Sequence, residues 1–135
     1  MVSNNLEFRV KGEVPAKKNS RITLRNGKTI PSEKYRAWHK YASLIVSAQA
    51  LKQWGRLYTI TDPVRIEVTF VHGDFVRRDS DNGLSSVLDL LTDCEILQDD
   101  NWRIVRKIEV KNEYKKNEAE CLIKIYTEND YMDEE

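Results

Sequence analysis

Leu6, Phe8 and Val10 alternate with Glu7, Arg9 and Lys11, the two-residue period of a strand with one buried face. That first strand ends near Gly12. The chain then turns polar and basic: Pro15-Ala16-Lys17-Lys18-Asn19-Ser20-Arg21 reads as an exposed loop, and Asn26-Gly27 as the turn of a small hairpin. Pro31-Ser32-Glu33 opens the longest helix, because Ser32 can accept from the free N–H groups of the first turn and Glu33 complements the positive end of the helix dipole. Ala37, Tyr41, Leu44, Ala48 and Leu51 follow at steps of four and three and predict its core-facing stripe, with Gly55 as the stop.

After Asp62-Pro63, Val64, Ile66, Val68 and Phe70 alternate with Arg65, Glu67 and Thr69 and predict a second strand. A loop from Gly73 to Asp79 leads into a shorter helix, marked by Leu84, Val87, Leu88 and Leu91, that starts near Asn82 and ends between Thr92 and Glu95. Val105 to Lys111 and Ala119 to Tyr126 predict two further strands joined as an antiparallel hairpin. The fold class is therefore α/β of the α+β kind: one small domain over residues 1–126, a mixed sheet with one long and one short helix. Residues 127–135 carry five acids and no base and read as a solvated tail.

Composition narrows the class. A chain of 135 residues, 40% apolar and 33% charged, builds one ordinary globular core. No apolar run approaches the roughly 20 residues that span a bilayer, and the start lacks a basic segment followed by an apolar one, so the expectation is a cytoplasmic protein without membrane contact. Cys94 and Cys121 stand alone, with no spacing for a zinc site or a disulfide framework, and read as reduced packing residues. Lys plus Arg equal Asp plus Glu at 22 each, which argues against coating nucleic acid by charge alone. The charges are nonetheless segregated, since Arg9 to Lys40 holds ten bases against two acids and Asp79 to Asp100 holds seven acids and no base.

The chemistry lies in that acidic stretch. Arg77-Arg78-Asp79-Ser80-Asp81-Asn82, followed by Gln98-Asp99-Asp100, offers Asp79, Asp81 and Asp100 as oxygen ligands for a hard divalent cation, and two guanidinium forks for a phosphate. In an extended segment Asp79 and Asp81 would point to one side, with Asp100 arriving after the intervening helix. The bland alternative is a turn in which Asp81 or Asn82 caps the helix. An EF-hand is excluded, because Gly83 and Leu84 stand where the loop needs its fifth ligand and its glycine, and Leu90 where it needs a glutamate. Neither His39 nor His72 has a claim on a site, and no nucleophile–histidine arrangement or phosphate-binding glycine loop is present.

Taken together, the order strand, R-R-D-S-D-N, short helix, Q-D-D and two strands resembles the RusA family of Holliday junction resolvases, common in prophages, and the basic loop from Pro15 to Arg21 fits the same pattern. The resemblance implies a homodimer that cuts opposed strands of four-way DNA junctions in recombination and repair, using Mg2+, with Mn2+ able to replace it. It puts the catalytic, metal-holding residues at Asp79, Asp81 and Asp100. On this reading Lys17, Lys18, Asn19, Arg21, Arg77, Arg78 and Asn82 contact the DNA. One departure stands out: the family pattern D-x-D-N-x-x-K ends in a catalytic lysine, and this chain has Ser85 there. Either another cation takes its place, from Lys17, Lys18, Arg77 or Arg78, or the chain is a weak or inactive branched-DNA-binding protein. A third reading makes the acidic cluster purely structural.

Overall fold

The computed structural model describes residues 5–17, 21–55 and 58–127. Along the chain run β1 (Asn5–Lys11), β2 (Arg21–Thr23), β3 (Thr29–Pro31), α1 (Glu33–Trp54), β4 (Val64–His72), α2 (Ser80–Asp93), β5 (Val105–Tyr114) and β6 (Glu120–Thr127). Four strands form one mixed sheet in the order β1-β6-β4-β5, and β2 and β3 form a separate hairpin that turns through Gly27 at φ +83°. Leu6, Phe8, Val10, Val64, Ile66, Val68, Phe70, Cys121, Ile123 and Ile125 project from one face of the sheet into a single core with residues of both helices. This is the mixed-sheet α+β domain the periodicities predict. Among the described residues no helix is long and apolar enough to cross a membrane.

Two expectations are corrected. The first is the β5–β6 hairpin: β5 pairs with β4, in parallel, and β6 inserts between β1 and β4, antiparallel to both. The strand–helix–strand unit from β4 through α2 to β5 sets the parallel neighbour, and the 115–119 turn then carries the chain across the end of β4. Lys115 and Asn117 donate their backbone N–H groups to the His72 and Gly73 carbonyls at 2.9 and 3.0 Å. A Cβ on Gly73 would stand 3.3 Å from the Ala119 nitrogen, closer than most Cβ contacts, so a larger residue here would require the crossing to give by a few tenths of an ångström.

The second correction concerns α1. Its core face is Tyr35, Trp38, Ala42, Val46 and Ala50, whereas Tyr41, Leu44 and Leu51 are exposed, Leu44 at 68%, together with Ala37 and Ala48. The helix carries two apolar stripes of similar spacing, and burial goes to the one that pairs large aromatics with small residues, which allow close approach to the sheet. Its ends follow the expectation: Ser32 Oγ accepts from Tyr35 N–H at 3.2 Å, and Gly55 closes the helix at φ +75°. Helix α2 starts earlier than predicted, at Ser80, with Asp79 as its N-cap residue.

Side chains of α1 also finish the sheet edge. Gln49 accepts from Arg9 N–H and donates to the Arg9 carbonyl, both at 2.9 Å, and Gln53 treats Glu7 in the same way at 2.9 and 2.7 Å. Two glutamines one helical turn apart thus satisfy alternate residues of β1. On the α2 side, Ser86 is fully buried, with its Oγ donating to the Pro15 carbonyl at 2.7 Å and accepting from Lys17 N–H at 3.3 Å. This bond pins the start of the basic loop to the short helix. Replacing Ser86 with Ala leaves both backbone groups buried without that partner and should cost about 1–3 kcal/mol of stability, read from the urea midpoint at unchanged slope.

Candidate active site

Alternation carries β4 out of the core at His72, and the chain then loops through exposed residues to Asp79, where α2 begins. Close approach fixes this start: a Cβ on Gly83 would sit 3.1 Å from the Phe70 ring, so the first turn of α2 lies directly on the end of β4. Asp79 is the last extended residue, at φ −86° and ψ 128°, and its backbone carbonyl accepts from Asn82 and Gly83 at 3.2 and 3.4 Å. Its carboxylate makes no capping bond. Asp81, in the first turn of the helix, also has no hydrogen bond or ion pair among the described residues. Capping therefore does not account for either carboxylate, and Asp81 sits in the helix rather than in an extended segment with Asp79.

Beside Asp79 is a cavity of about 290 Å³, lined among others by Glu13, Lys34, His72, Arg77, Arg78, Asp79, Ser80, Asn82 and Asn112, and not by Asp81. A chain of polar contacts crosses it. Glu13 accepts from Gly73 N–H at 3.0 Å and lies 3.0 Å from His72 Nδ1; His72 Nε2 is 2.9 Å from Asn112 Oδ1; and Asn112 Nδ2 donates to Ser80 Oγ at 3.0 Å. The loop before the first sheet crossover is thereby tied to the first residue of α2 through two strands. Glu13, His72 and Asn112 carry no motif, and the His72 contact arises from the sheet order, which sets Asn112 beside β4.

The cations divide into committed and free. Arg78 is spent on its own loop, with Nη1 2.7 Å from Asp74 Oδ1 and Nε 3.5 Å from Glu13. Its hydrogen bond holds the Asp74 carboxyl below the usual carboxylate range. Lys17 Nζ lies 3.3 Å from Asp89 and 5.8 Å from the centre of the Tyr35 ring, away from the cavity. Arg77 and Lys34 line the cavity and have no partner among the described residues. Lys18 and Asn19 lie outside the described residues, and of Arg21 only the backbone in β2 is described. Asn82 lines the cavity one residue into the helix from Asp81.

Asp100 is elsewhere. Because β4 and β5 run parallel, α2 must travel back along the sheet, and its 14 residues span about 20 Å. Asp79 stands where β4 ends and Asp100 shortly before β5 begins. Asp100 is raised in pKa by desolvation first, then by its hydrogen bond with Asp99 and the charges of Asp99 and Asp89. Asp99 is held low by the Asp100 backbone N–H, which it accepts at 2.7 Å. Among the described residues no three His, Cys, Asp or Glu side chains come together to hold a metal ion. Asp79 and Asp81 fit one in kind: both are exposed, uncommitted hard oxygen donors, and magnesium is commonly held by one or two carboxylates, waters and substrate phosphates. Cys94 and Cys121 are free thiols outside this region, and burial pushes Cys121 up to about 12.

Residues 11–126 match the family model described as endodeoxyribonuclease RusA. No curated protein matches the sequence.

The folded chain binds the Asp100 proton more tightly than the unfolded chain does. Ionisation of Asp100 therefore costs stability as pH rises through its raised pKa and costs nothing below the unfolded value. Substituting Asp99 with Asn removes the neighbouring charge and should lower the Asp100 pKa, followed by NMR titration of its carboxyl carbon.

Proposed function

Because the chain belongs to the RusA endodeoxyribonuclease family, we propose that it is a magnesium-dependent endonuclease that resolves four-way DNA junctions, with Asp79, Asp81 and Asp100 as its catalytic carboxylates. The observation that carries the reading is Asp79, an uncommitted carboxylate lining a cavity that also presents unpaired cations, with Asp81, also uncommitted, two residues on in the first turn of α2. Asp79 and Asp81 would hold the metal ion. When bound, a divalent cation supplies a nucleophilic water near neutral pH and stabilises charge on the phosphate. Arg77 and Lys34 engage the phosphodiester, a guanidinium fork and a point charge on the same cavity wall. They stand in for the family lysine that Ser85 replaces, a role that Lys17 and Arg78 fit poorly because their charges are already matched by Asp89, Asp74 and Glu13.

Asp100 enters from a second copy. With α2 separating it from Asp79 and Asp81 within one chain, a two-fold dimer with the two chains antiparallel would bring Asp100 of the partner subunit to the Asp79 end of each protomer. Two sites related by a two-fold axis suit two opposed strands of a junction. The reading of a DNA-binding protein without catalysis rests on Ser85 alone.

Wild-type protein with magnesium should nick a synthetic four-way junction in preference to a matched duplex, and a chelator should abolish the cuts. A silent wild type whose Ser85→Lys variant cuts would favour the binding reading instead. Lys34→Ala and Arg77→Ala should each lower the cleavage rate by about tenfold or more, as for lost electrostatic stabilisation of a developing charge. In a mixture, inactive Asp81→Asn and inactive Asp100→Asn chains should regain cleavage, since one site of each mixed dimer is intact; no recovery would mean that Asp100 acts within its own chain.

A further inference from the structure

The loop between β4 and α2 carries an aromatic ring that the core does not take. Phe75 is 83% exposed, and Tyr114, at the end of β5, stacks on it with 4.1 Å between ring centres and 23° between planes. Tyr114 covers one face, so an exposure this high leaves the other face of Phe75 bare. Val76 and Tyr114 are exposed as well, which makes an apolar patch rather than one stray side chain. The backbone beneath the ring is tied down. Asp74 accepts from Val76 N–H at 3.0 Å and from Arg78 at 2.7 and 3.3 Å, and Arg78 also donates to the Val76 carbonyl at 3.2 Å. The turn after Tyr114 bonds to the carbonyls of His72 and Gly73. Phe75 is thus held on a bonded loop, and little ordering is left for a ligand to bring about.

The stack stands at the end of the sheet where Asp79 lies. Tyr114 pairs with His72, and Asn112, two residues earlier on the same face of β5, lines the cavity. Arg77, two residues past Phe75, lines it as well. We propose that the Phe75–Tyr114 stack is a base-binding subsite: with Arg77 on the phosphodiester, an unpaired nucleobase beside it lies flat on the open face of Phe75. This deepens the nuclease reading given above and rests on it.

An aromatic face beside uncommitted cations is the combination that single-stranded nucleic acid needs, a platform for the base and positive charge for its phosphate. Around the patch, Asp74 is matched by Arg78 and Glu118 by Lys115. Asp79 lies at the metal end, and alternation turns Glu113 to the opposite face of β5. The remaining charges, Arg77 and Lys116, have no ion pair among the described residues, so the rim is positive. An apolar protein partner would leave both cations unanswered. Reach sets the ligand further. A base inside a duplex has both faces covered by its neighbours, whereas a base at an opened branch point has a face to give. The ring therefore selects for structure and not for sequence, since every base has a π-face.

The test uses the full chain with a four-way junction and a matched duplex, without magnesium, so that binding is read apart from cutting. Phe75→Ala should weaken junction binding by about tenfold or more and leave duplex binding unchanged. The salt dependence should stay as it is, because stacking releases no counterion, whereas Arg77→Ala should flatten it. Phe75→Trp should bind as wild type does, and Phe75→Leu as weakly as Phe75→Ala. Urea midpoints of these Phe75 variants should match wild type, since the ring lies outside the core. Iododeoxyuridine at the branch point should cross-link under ultraviolet light to the peptide carrying Phe75, and the same base in mid-arm should not. Wild-type junction binding by Phe75→Ala overturns the subsite and leaves the patch to a protein partner. Full binding by Phe75→Leu, or an equal loss on the duplex, overturns it as a platform for an unpaired base. A chain that cuts junctions yet binds them without need of Phe75 refutes the subsite while sparing the nuclease reading. Phe75-dependent junction binding with no cuts once magnesium is added refutes the nuclease reading while sparing the subsite.

Discussion

The parallel pairing of β4 with β5 is the constraint on which the rest of the molecule depends. Two parallel neighbours cannot be joined by a tight turn, so the chain must leave one end of the sheet and return to the other. Helix α2 makes that return, and it can do so only by lying along the sheet and burying Val87, Leu90 and Leu91 against β4 and its neighbours. The acidic motif straddles this helix. What looks in one dimension like a compact group of carboxylates is, in the folded chain, a pair at one end and a lone residue at the other.

Around that unit the polar contacts act as fixed pins. Ser86 holds the basic loop at Pro15 and Lys17, and Glu13 holds the end of β4 through Gly73 and His72. Arg78, the obvious phosphate ligand by residue type, is part of the same framework, since its charge is matched by Asp74 and Glu13. The cavity therefore keeps a bonded wall and a pair of uncommitted cations, Arg77 and Lys34. Charge that is already neutralised shapes a site, and charge that is not neutralised serves it.

Much of the fold was legible in the sequence because strict alternation survives in β1, β4 and β6, each with one face on the core. Two things were not. Helix α1 has an apolar stripe on Ala37, Tyr41, Leu44, Ala48 and Leu51 as regular as the buried one, and periodicity cannot rank two such stripes; complementarity to the sheet does. The partner of β5 was hidden as well, since a short turn before β6 reads as a hairpin unless the preceding crossover is known to claim β4 as a neighbour. For the site, Asp79 and Asp81 were visible from their spacing, and their freedom from capping was not. Lys34 had no motif at all and is found only because the first turn of α1 borders the cavity.

The glutamines on α1 bear on more than the strand they touch. Sheets with two open edges can add strands indefinitely, and a protein that pairs through one edge while leaving the other bare is at risk of growing into a filament. Here Gln49 and Gln53 occupy the backbone of β1 at alternate positions, so this edge is closed to a further strand at Glu7 and Arg9. Two amide side chains on a helix thus disfavour strand addition at this edge of the sheet.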